Sequence, residues 1–300
     1  MAFASKSIPP ILKAVALSLC GIFLLDSMGA IIKHLGPHYP APQLSTLRNL
    51  FGLVPSLIVL LASVGFAGFA ASFRMRRWKL AIGRGFFVTF AQFCFYTSLL
   101  HLEYATATTL SFAGPMFVTA FSVPVLGDRV GVWRWSAVLI GFAGLIMIMQ
   151  PGSDVFSLYA LLPVLAAAGY AASAVTVRLI TEPVPSASIN LLSTFGALIG
   201  AVGVMLATDG YVPIASALDL AWIIAMGAAG GTGVLFLIMA YRLTKPSNLA
   251  PFDYFGILFA LALGWIFFDE MPLDRLLPGV VFIVAGGALI IWRERRQKTE

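Results

Sequence analysis

Long apolar runs alternate with short polar segments from one end of this chain to the other. A helix that crosses the hydrocarbon core of a bilayer, about 30 Å thick, needs about 20 mostly apolar residues. Ten runs reach or approach that length, and glycine, proline or charged residues occupy every gap between them. The pattern therefore predicts ten transmembrane helices. The predicted spans are 12–32, 43–65, 81–100, 104–126, 134–150, 157–178, 187–207, 219–241, 247–268 and 276–292.

The composition supports an all-α membrane protein and argues against two other classes. Of the 300 residues, 60% are hydrophobic and 11% are charged, whereas a soluble domain is about 45–50% apolar and about 25% charged. The chain thus carries too little charge to cover a globular surface. An outer-membrane β-barrel is disfavoured by the pattern, because its strands are alternating segments of about ten residues rather than continuous apolar runs.

Lysine and arginine are distributed unevenly around the predicted spans. With ten spans both termini lie on one side of the membrane, and sixteen of the 19 Lys and Arg residues fall on that side. Only Lys33 and Arg275 fall on the other side, and Arg48 lies inside a span. Because cytoplasmic loops carry the excess of positive charge, both termini are predicted to be cytoplasmic in a multi-pass inner-membrane protein. Topology accounts for the net charge of +6, so no nucleic-acid partner is expected.

A sequence repeat links the fourth and ninth predicted spans. The stretch FAGPMFVTAFSVPVLGD at 112–128 resembles YFGILFALALGWIFFDE at 254–270, and Gly114 aligns with Gly256. Each run begins at an aromatic residue and ends at an acid. The same offset aligns further glycine and apolar positions of spans three to five with those of spans eight to ten. Because each half holds an odd number of spans, the second copy enters the membrane from the opposite side.

The repeat predicts two halves around a central cavity, residues 1–150 with five spans and residues 151–300 with five more. An inverted repeat is typical of transporters, in which one scaffold can open to either face of the membrane. The acids at the ends of the two copies, Asp128 and Glu270, are predicted to mark span boundaries rather than to bind a substrate. The alternative is gene duplication in a membrane protein that does not transport.

Ten spans in 300 residues, two five-span halves and a glycine-containing span that ends near an acid resemble the drug/metabolite transporter superfamily. The resemblance is closest to its EamA-type exporters, with the YddG-like amino-acid exporters among them, and it covers essentially the whole chain. It implies a helical bundle with a central cavity, alternating access, and export of amino acids or related metabolites. The first two spans of each half match more weakly, which leaves their equivalence open.

Ionisable residues inside the spans are the main functional candidates, because a charge in the bilayer core costs about 2.5–3.5 kcal/mol on insertion scales. Asp26 in span one and Arg48 in span two lie at similar depths from their outer ends. We therefore expect them to approach each other or to share the cavity. Arg48 then binds the carboxylate of an amino-acid-like substrate, since its planar guanidinium suits carboxylates. A structural ion pair between adjacent helices is the alternative.

Asp253 is a third ionisable candidate, near the start of span nine and just after Pro251. Proline removes a backbone donor and frees carbonyl groups, so we expect an irregular helical turn there. A carboxylate at this position suits proton coupling or the binding of a substrate ammonium. The alternatives are a solvated acid at the inner mouth of the cavity and an ion-pair partner for Arg242 or Lys245.

Polar and aromatic side chains inside the spans complete the predicted site. Gln92 and Tyr96 lie one turn apart on span three, and Ser111 is the first-half counterpart of Asp253. A lone hydroxyl in a membrane helix more often bonds its own backbone or a neighbouring helix than a ligand. The predicted substrate-binding residues are Asp26, Arg48, Gln92, Tyr96, Ser111, Tyr170, Asp253 and Tyr254.

The glycine-rich stretch GAAGGTG at 227–233 invites comparison with a nucleotide-binding loop. It lacks the G-K-[ST] ending of a P-loop, and position 236 is Phe where G-x-G-x-x-G requires glycine. Close packing between helices is the favoured interpretation. Nothing in the sequence predicts a nucleotide, a metal or another cofactor.

The sequence thus favours a secondary transporter that moves a small-molecule substrate through the lipid bilayer, with protons as a candidate coupling ion. A membrane-embedded enzyme is one alternative, but the three histidines are scattered and no metal-spaced cluster accompanies them. A non-transporting scaffold and a transporter of a solute other than an amino acid are the remaining alternatives.

Overall fold

The computed structural model describes residues 10–127, 132–149, 157–181, 183–243, 249, 252 and 255–296. Helices dominate this part of the chain, and no strand occurs among these residues. Short 3₁₀ turns lie at Ala70–Phe73 and Leu158–Ala160. The helices are α1 (Pro10–Leu35), α2 (Ala41–Phe69), α3 (Trp78–Leu99), α4 (Tyr104–Ser111), α5 (Gly114–Leu126), α6 (Val132–Met149), α7 (Leu161–Val177), α8 (Ser186–Ala207), α9 (Ala217–Leu243), α10 (Phe255–Phe268) and α11 (Leu273–Arg296).

Helix is present at each of the ten positions where the hydrophobic pattern predicts a span. Six helical segments of the described chain are long and apolar enough to cross a membrane, and Val138–Met149 and Phe255–Phe268 are shorter apolar helices. These lengths and hydropathies confirm the prediction of an all-helical membrane protein. The arrangement of ten crossings in two inverted repeats stays a prediction.

The fourth predicted span, 104–126, is two helices rather than one. The break falls at Phe112 and Ala113, whose backbone N–H groups bond carbonyl oxygens three residues back at 3.1 and 3.3 Å. Pro115 explains it, because proline has no N–H to donate to the carbonyl of Ser111, four residues earlier. The short helix α4 therefore ends in the interior of the molecule, where Ser111 and Phe112 line a cavity.

The helices form two bundles. In the first bundle, α1 packs against α9 and α10, and α2 packs against α9. In the second bundle, α3 packs against α7 and α8, and α7 packs against α4 and α5. The bundles meet where α2 lies against α8 and α4 lies against α10, while α6 and α11 pack against each other beside them.

Glycines allow the helices of each bundle to approach closely. A Cβ on Gly231 of α9 would lie 2.7 Å from the carbonyl oxygen of Gly52 in α2, and one on Gly227 would lie 2.3 Å from the Cβ of Phe51. In the second bundle, a Cβ on Gly85 of α3 would lie 2.3 Å from the backbone nitrogen of Ala197. These approaches confirm the packing interpretation of GAAGGTG.

Polar contacts tie the two bundles together at the end where α1 finishes and α2 begins. Lys33 forms an ion pair with Glu270, with 2.5 Å between Nζ and Oε1, and donates a second hydrogen bond to the carbonyl of Leu102. Glu270 also accepts a hydrogen bond from the backbone N–H of Tyr104 at 2.6 Å. Glu270 is thus a boundary group, as predicted, whereas Asp128 lies outside the described residues.

The largest buried apolar cluster surrounds this same end. It joins the end of α1 and the start of α2 to the end of α3, the start of α4 and the first turns of α9. At the opposite end the described residues form two separate small clusters, one around Ala14 and Ala240 and one around Met75 and Ile180. Among the described residues, buried apolar packing is therefore more continuous at the Lys33 end.

Candidate functional site

A cavity of about 490 Å³ lies between the two bundles. Residues of α1, α2 and α9 line it from the first bundle, and residues of α3, α4, α7 and α8 line it from the second. The lining is largely apolar, with few charged groups. Of the residues predicted to bind substrate, five line this cavity: Asp26, Arg48, Gln92, Ser111 and Tyr170.

Arg48 is 8% exposed, and two of its three guanidinium nitrogens contact other side chains. Its Nε lies 3.4 Å from the sulfur of Met28, and its Nη1 donates to Oδ1 of Asn49 at 3.1 Å. A Cβ on Gly230 of α9 would lie 2.9 Å from that Nε, so the glycine leaves room for the guanidinium. Nη2 makes no hydrogen bond to any residue that the structure describes, which leaves two donors for a ligand.

A buried hydrogen-bond network fixes the position of Asn49 beneath Arg48. Asn49 and Gln92 exchange hydrogen bonds of 2.8 and 3.1 Å, and Ser45 donates to Oε1 of Gln92 at 2.7 Å. All three side chains are almost fully buried. Gln92 therefore has two roles, because it lines the cavity and, through Asn49, also orients Arg48. The network joins α2 of the first bundle to α3 of the second.

Asp26 shares the cavity with Arg48 but does not pair with it. Oδ2 of Asp26 is buried and has no hydrogen-bond partner, and the two side chains form no ion pair within 4.0 Å in the described structure. A Cβ on Gly256 of α10 would lie 3.4 Å from this oxygen. Of the two expectations, the structure shows a shared cavity rather than an ion pair. An unpartnered buried carboxylate oxygen is costly, which makes it a candidate ligand-binding group.

Tyr104 connects the Asp26 region to the second bundle. Its hydroxyl donates to the backbone carbonyl of Asp26 at 2.5 Å, and the side chain is 1% exposed. Gly29 of α1 makes this approach possible, since a Cβ there would lie 2.7 Å from the tyrosine oxygen. Tyr104 lies outside the predicted site, and a tyrosine at the start of a span is also typical of an interfacial anchor.

Arg84 is the main functional candidate that sequence analysis missed. Its Nε donates to the carbonyl of Ser173 and its Nη1 to Oγ of Ser193, both at 2.8 Å, and it lines the cavity. Arg84 is one of the sixteen Lys and Arg residues that the charge distribution places on the cytoplasmic side. Position 84 nevertheless lies inside the predicted span 81–100, and that was the signal that could have identified it.

The other predicted residues occupy different surroundings. Ser111 and Tyr170 line the cavity, and the Ser111 hydroxyl donates to the carbonyl of Thr108 at 2.6 Å. Tyr96 is 1% exposed and lies outside the cavity lining, and its hydroxyl has no hydrogen-bond partner. Asp253 and Tyr254 lie outside the described residues.

This arrangement suits the binding of a small polar solute in a largely apolar enclosure. Two guanidinium groups can receive anionic groups, and the free oxygen of Asp26 can receive a cation or a proton. No group of three or more His, Cys, Asp and Glu residues that could hold a metal ion occurs in the part of the chain that the structure describes.

Comparison with known proteins gives a family match. A model described as the EamA-like transporter family matches residues 12–150 and 157–292. A pseudopaline exporter of Pseudomonas aeruginosa is 27% identical over 278 residues, covering 92% of this chain and 93% of the relative. An S-adenosylmethionine uptake transporter of Rickettsia conorii is 26% identical over 282 residues, covering 92% and 93%.

Two further matches extend the comparison. A riboflavin transporter of Rhizobium johnstonii is 31% identical over 194 residues, covering 64% of this chain and 63% of the relative. A solved crystal structure of a protein whose description states no function has a TM-score of 0.63 at 20% identity and covers 95% of this chain and 99% of its own. At that identity the structural match supports the fold alone.

Proposed function

The chain belongs to the EamA-like transporter family, and on that premise we propose that it exports amino acids or closely related metabolites from the cytoplasm by alternating access. Its relatives are named as transporters of small molecules, but the solutes in their names differ and include both exported and imported ones. The proposed substrate class therefore rests on the cavity. The observation that carries it is an unpaired, nine-tenths buried Arg48 in the same cavity as an unpartnered carboxylate oxygen of Asp26.

The two groups complement an amino acid. The α-carboxylate binds the free Nη2 side of Arg48, where a planar guanidinium offers parallel donors. The α-ammonium binds Oδ2 of Asp26, which has no partner of its own. Both interactions form away from bulk water, where charge-assisted hydrogen bonds are strongest. Gln92 holds Arg48 in place through Asn49.

The packing of the helices supports the proposal of two inverted five-span halves. If residues 1–150 and 151–300 exchange places, the pair α1–α9 becomes α7–α3, and the pair α2–α9 becomes α8–α3. The pairs α2–α8 and α6–α11 map onto themselves. The two segments that match the family model divide the chain in the same place. Ten spans with both termini in the cytoplasm of an inner-membrane protein fit this arrangement.

Alternating access then requires the bundles to separate at the end of the molecule where α1 finishes and α2 begins. With cytoplasmic termini, the end of α1 faces outwards. The bonds that join the bundles there, from Lys33 to the carbonyl of Leu102 and from the N–H of Tyr104 to Glu270, then close the outer side. Tyr39 fixes the first bundle at this end, because its hydroxyl donates to Asp219 of α9 at 2.7 Å and accepts from the N–H of Ala215 at 2.9 Å. Opening to the outside breaks the contacts of Leu102 and Tyr104 with the first bundle and releases the solute. Protons are the proposed coupling ion, and Asp253 is the proposed site of their exchange.

Counterflow in proteoliposomes tests the proposal. The purified chain is screened with radiolabelled amino acids, nucleosides and cationic drugs, with and without a pH gradient. We expect exchange of at least one amino acid. Asp253→Asn is expected to change the pH profile of that exchange, and an unchanged profile would remove Asp253 as the proton site. Counterflow of a nucleoside or drug without any amino acid would contradict the proposed substrate class.

A second candidate is transport of another solute by the same cavity. The names of the relatives favour it, since S-adenosylmethionine and riboflavin are both carried by similar proteins. Including these two compounds in the counterflow screen distinguishes the candidates, because each predicts a different labelled solute inside the vesicles.

A further inference from the structure

The cavity holds a second arginine whose anchoring differs from that of Arg48. Arg48 is held by Met28 and Asn49, which both belong to the first bundle. Arg84 is held by Ser173 of α7 and Ser193 of α8, which both belong to the second bundle. Each bundle therefore presents one guanidinium to the space between them. In both cases Nε and Nη1 bond to protein, and Nη2 has no hydrogen-bond partner among the residues that the structure describes.

The two guanidiniums lie at different depths along the cavity. Gln92 marks the depth of Arg48, because both side chains donate to the same oxygen, Oδ1 of Asn49. Arg84 precedes Gln92 by eight residues on the same helix, which corresponds to about 12 Å along its axis at the backbone. A compact solute bound at Arg48 and Asp26 thus leaves Arg84 without an anion.

The described lining of the cavity has two positive groups, Arg48 and Arg84, for one acid. Asp26 is the one described acid among the lining residues, and it forms no ion pair with either arginine. Arg84 is partly buried and has no counter-charge among the described lining residues, so an anionic ligand there would gain a charge-assisted interaction. The serine carbonyl and hydroxyl that hold Arg84 orient it without neutralising it.

Resting on the proposed function, we infer that the cavity takes an elongated amino-acid derivative with a second, distal carboxylate, and that Arg84 binds that carboxylate. The α-carboxylate then lies at Arg48, the α-ammonium at Asp26 and the distal carboxylate at Arg84. Arg84 is therefore a specificity-determining residue. Such a solute also bridges the two bundles, so its length decides whether both can hold it at once.

A series of acidic amino acids of increasing chain length, each paired with its ω-amide, tests this inference. L-glutamate, L-2-aminoadipate and L-2-aminosuberate are each compared with the corresponding ω-amide as counterflow substrates of the full chain in proteoliposomes. In the parent we expect the KM of the acid to fall below that of its amide by about tenfold at the best chain length. Arg84→Gln is expected to remove this preference by raising the KM of the acid, with the KM of the amide nearly unchanged.

Two further variants serve as controls. Arg84→Lys keeps the charge but loses the planar fork, and we expect a partial loss of the acid preference. Arg74→Gln makes the same change at an exposed arginine outside the cavity lining and is expected to leave the preference intact. Thermal unfolding in detergent, with each acid or amide added, measures binding without transport. The acid is expected to raise the Tm of the parent more than its amide does, and Arg84→Gln is expected to remove that difference.

The outcomes separate the two claims. Transport of amino acids with equal KM values for acid and amide at every length overturns the role of Arg84 and leaves the proposed function standing. Loss of acid and amide transport to the same degree in Arg84→Gln shows that Arg84 only holds α3 against α7 and α8. If the parent moves no amino acid, the proposed function fails. In that case, equal Tm shifts with acid and amide overturn the distal-carboxylate site as well.

Discussion

The two bundles each place an arginine in the same cavity but hold it in different ways. Arg48 of the first bundle sits deep in the molecule, packed against Gly230 and connected to a buried network that reaches Gln92. Arg84 of the second bundle lies two turns into α3 and is held by one carbonyl and one hydroxyl. Both arginines line the cavity although one lies deep in its helix and the other near a helix end, so distance from a helix end does not identify the arginines that face the cavity.

The largest effect is expected from the close contact that holds Arg84's helix in the second bundle. A Cβ on Gly85 would lie 2.3 Å from the backbone of Ala197 and 2.4 Å from the carbonyl of Ser193, and backbone cannot move aside cheaply. We expect Gly85→Ala to lower the free energy of unfolding by about 2–3 kcal/mol. Thermal or denaturant unfolding in detergent measures it.

Gly83 supplies the matched control, two residues earlier on the same helix. A Cβ there would meet no atom within 4 Å, so Gly83→Ala is expected to be neutral or to stabilise α3 by up to about 1 kcal/mol. Equal destabilisation by both variants would show that the close packing of α3 against α8 is not what holds the second bundle together.

The tie between the bundles at the Lys33 end is expected to have the next largest effect. Glu270→Gln removes the ion pair with Lys33 and weakens the bond from the backbone of Tyr104. Both groups are only partly buried, so we expect a loss of about 1–2 kcal/mol and easier opening of this end. Labelling of a cysteine placed at Thr108 by a membrane-impermeant maleimide, in a background without Cys20 and Cys94, measures the opening. Faster labelling supports the tie, and an unchanged rate contradicts it.

Gly230→Ala tests the first bundle's hold on Arg48. The added methyl would lie 2.9 Å from Nε of Arg48 and 2.5 Å from the sulfur of Met28, both in side chains that can shift. We therefore expect a small change in stability but a rise of about tenfold in the KM for an amino acid, since the guanidinium is displaced. Gly203→Ala, which meets no atom within 4 Å, is the control. An unchanged KM in Gly230→Ala would mean that Arg48 does not touch the substrate.

Tyr104→Phe is expected to have the smallest effect. It removes one hydrogen bond, from the hydroxyl to the carbonyl of Asp26, and keeps the ring in place. We expect a loss of about 0.5–1.5 kcal/mol, together with a modest change in amino-acid KM if the bond orients Asp26. Hydrogen exchange of α1 around Asp26 reports the contact directly, and unaltered protection there would show that the tyrosine does not steady this turn.

The sequence predicted five of the residues that line the cavity but not the contacts between them. The length of the apolar runs was enough to place helix at all ten predicted spans, and the cost of a charge in a bilayer singled out Asp26 and Arg48. It could not show that these two stay unpaired, because pairing depends on side-chain rotamers and on room left by Gly230 and Gly256. The sequence pattern places Arg84 among the cytoplasmic-side charges that set the topology. A charge near a helix end gives the same sequence signal whether its side chain faces a lipid headgroup or a cavity.

The break between α4 and α5 shows a second limit of the sequence. The apolar run 104–126 has the length of a single span, and its hydropathy does not reveal a break near Pro115. The structure divides the run just before that proline, and Ser111 and Phe112 come to line the cavity at the division. Proline kinks inside hydrophobic segments depend on what neighbouring helices can supply to the freed carbonyl groups, which hydropathy does not record.

The most direct test of the central claim compares an amino acid with its α-amide as counterflow substrates of the parent and of Arg48→Ala. The account predicts that the parent prefers the free carboxylate and that Arg48→Ala loses about 10–100-fold in kcat/KM for the amino acid. The α-amide is expected to move at a similar, low rate with both proteins. Undiminished amino-acid counterflow by a folded Arg48→Ala protein would contradict the proposal that Arg48 binds the substrate carboxylate.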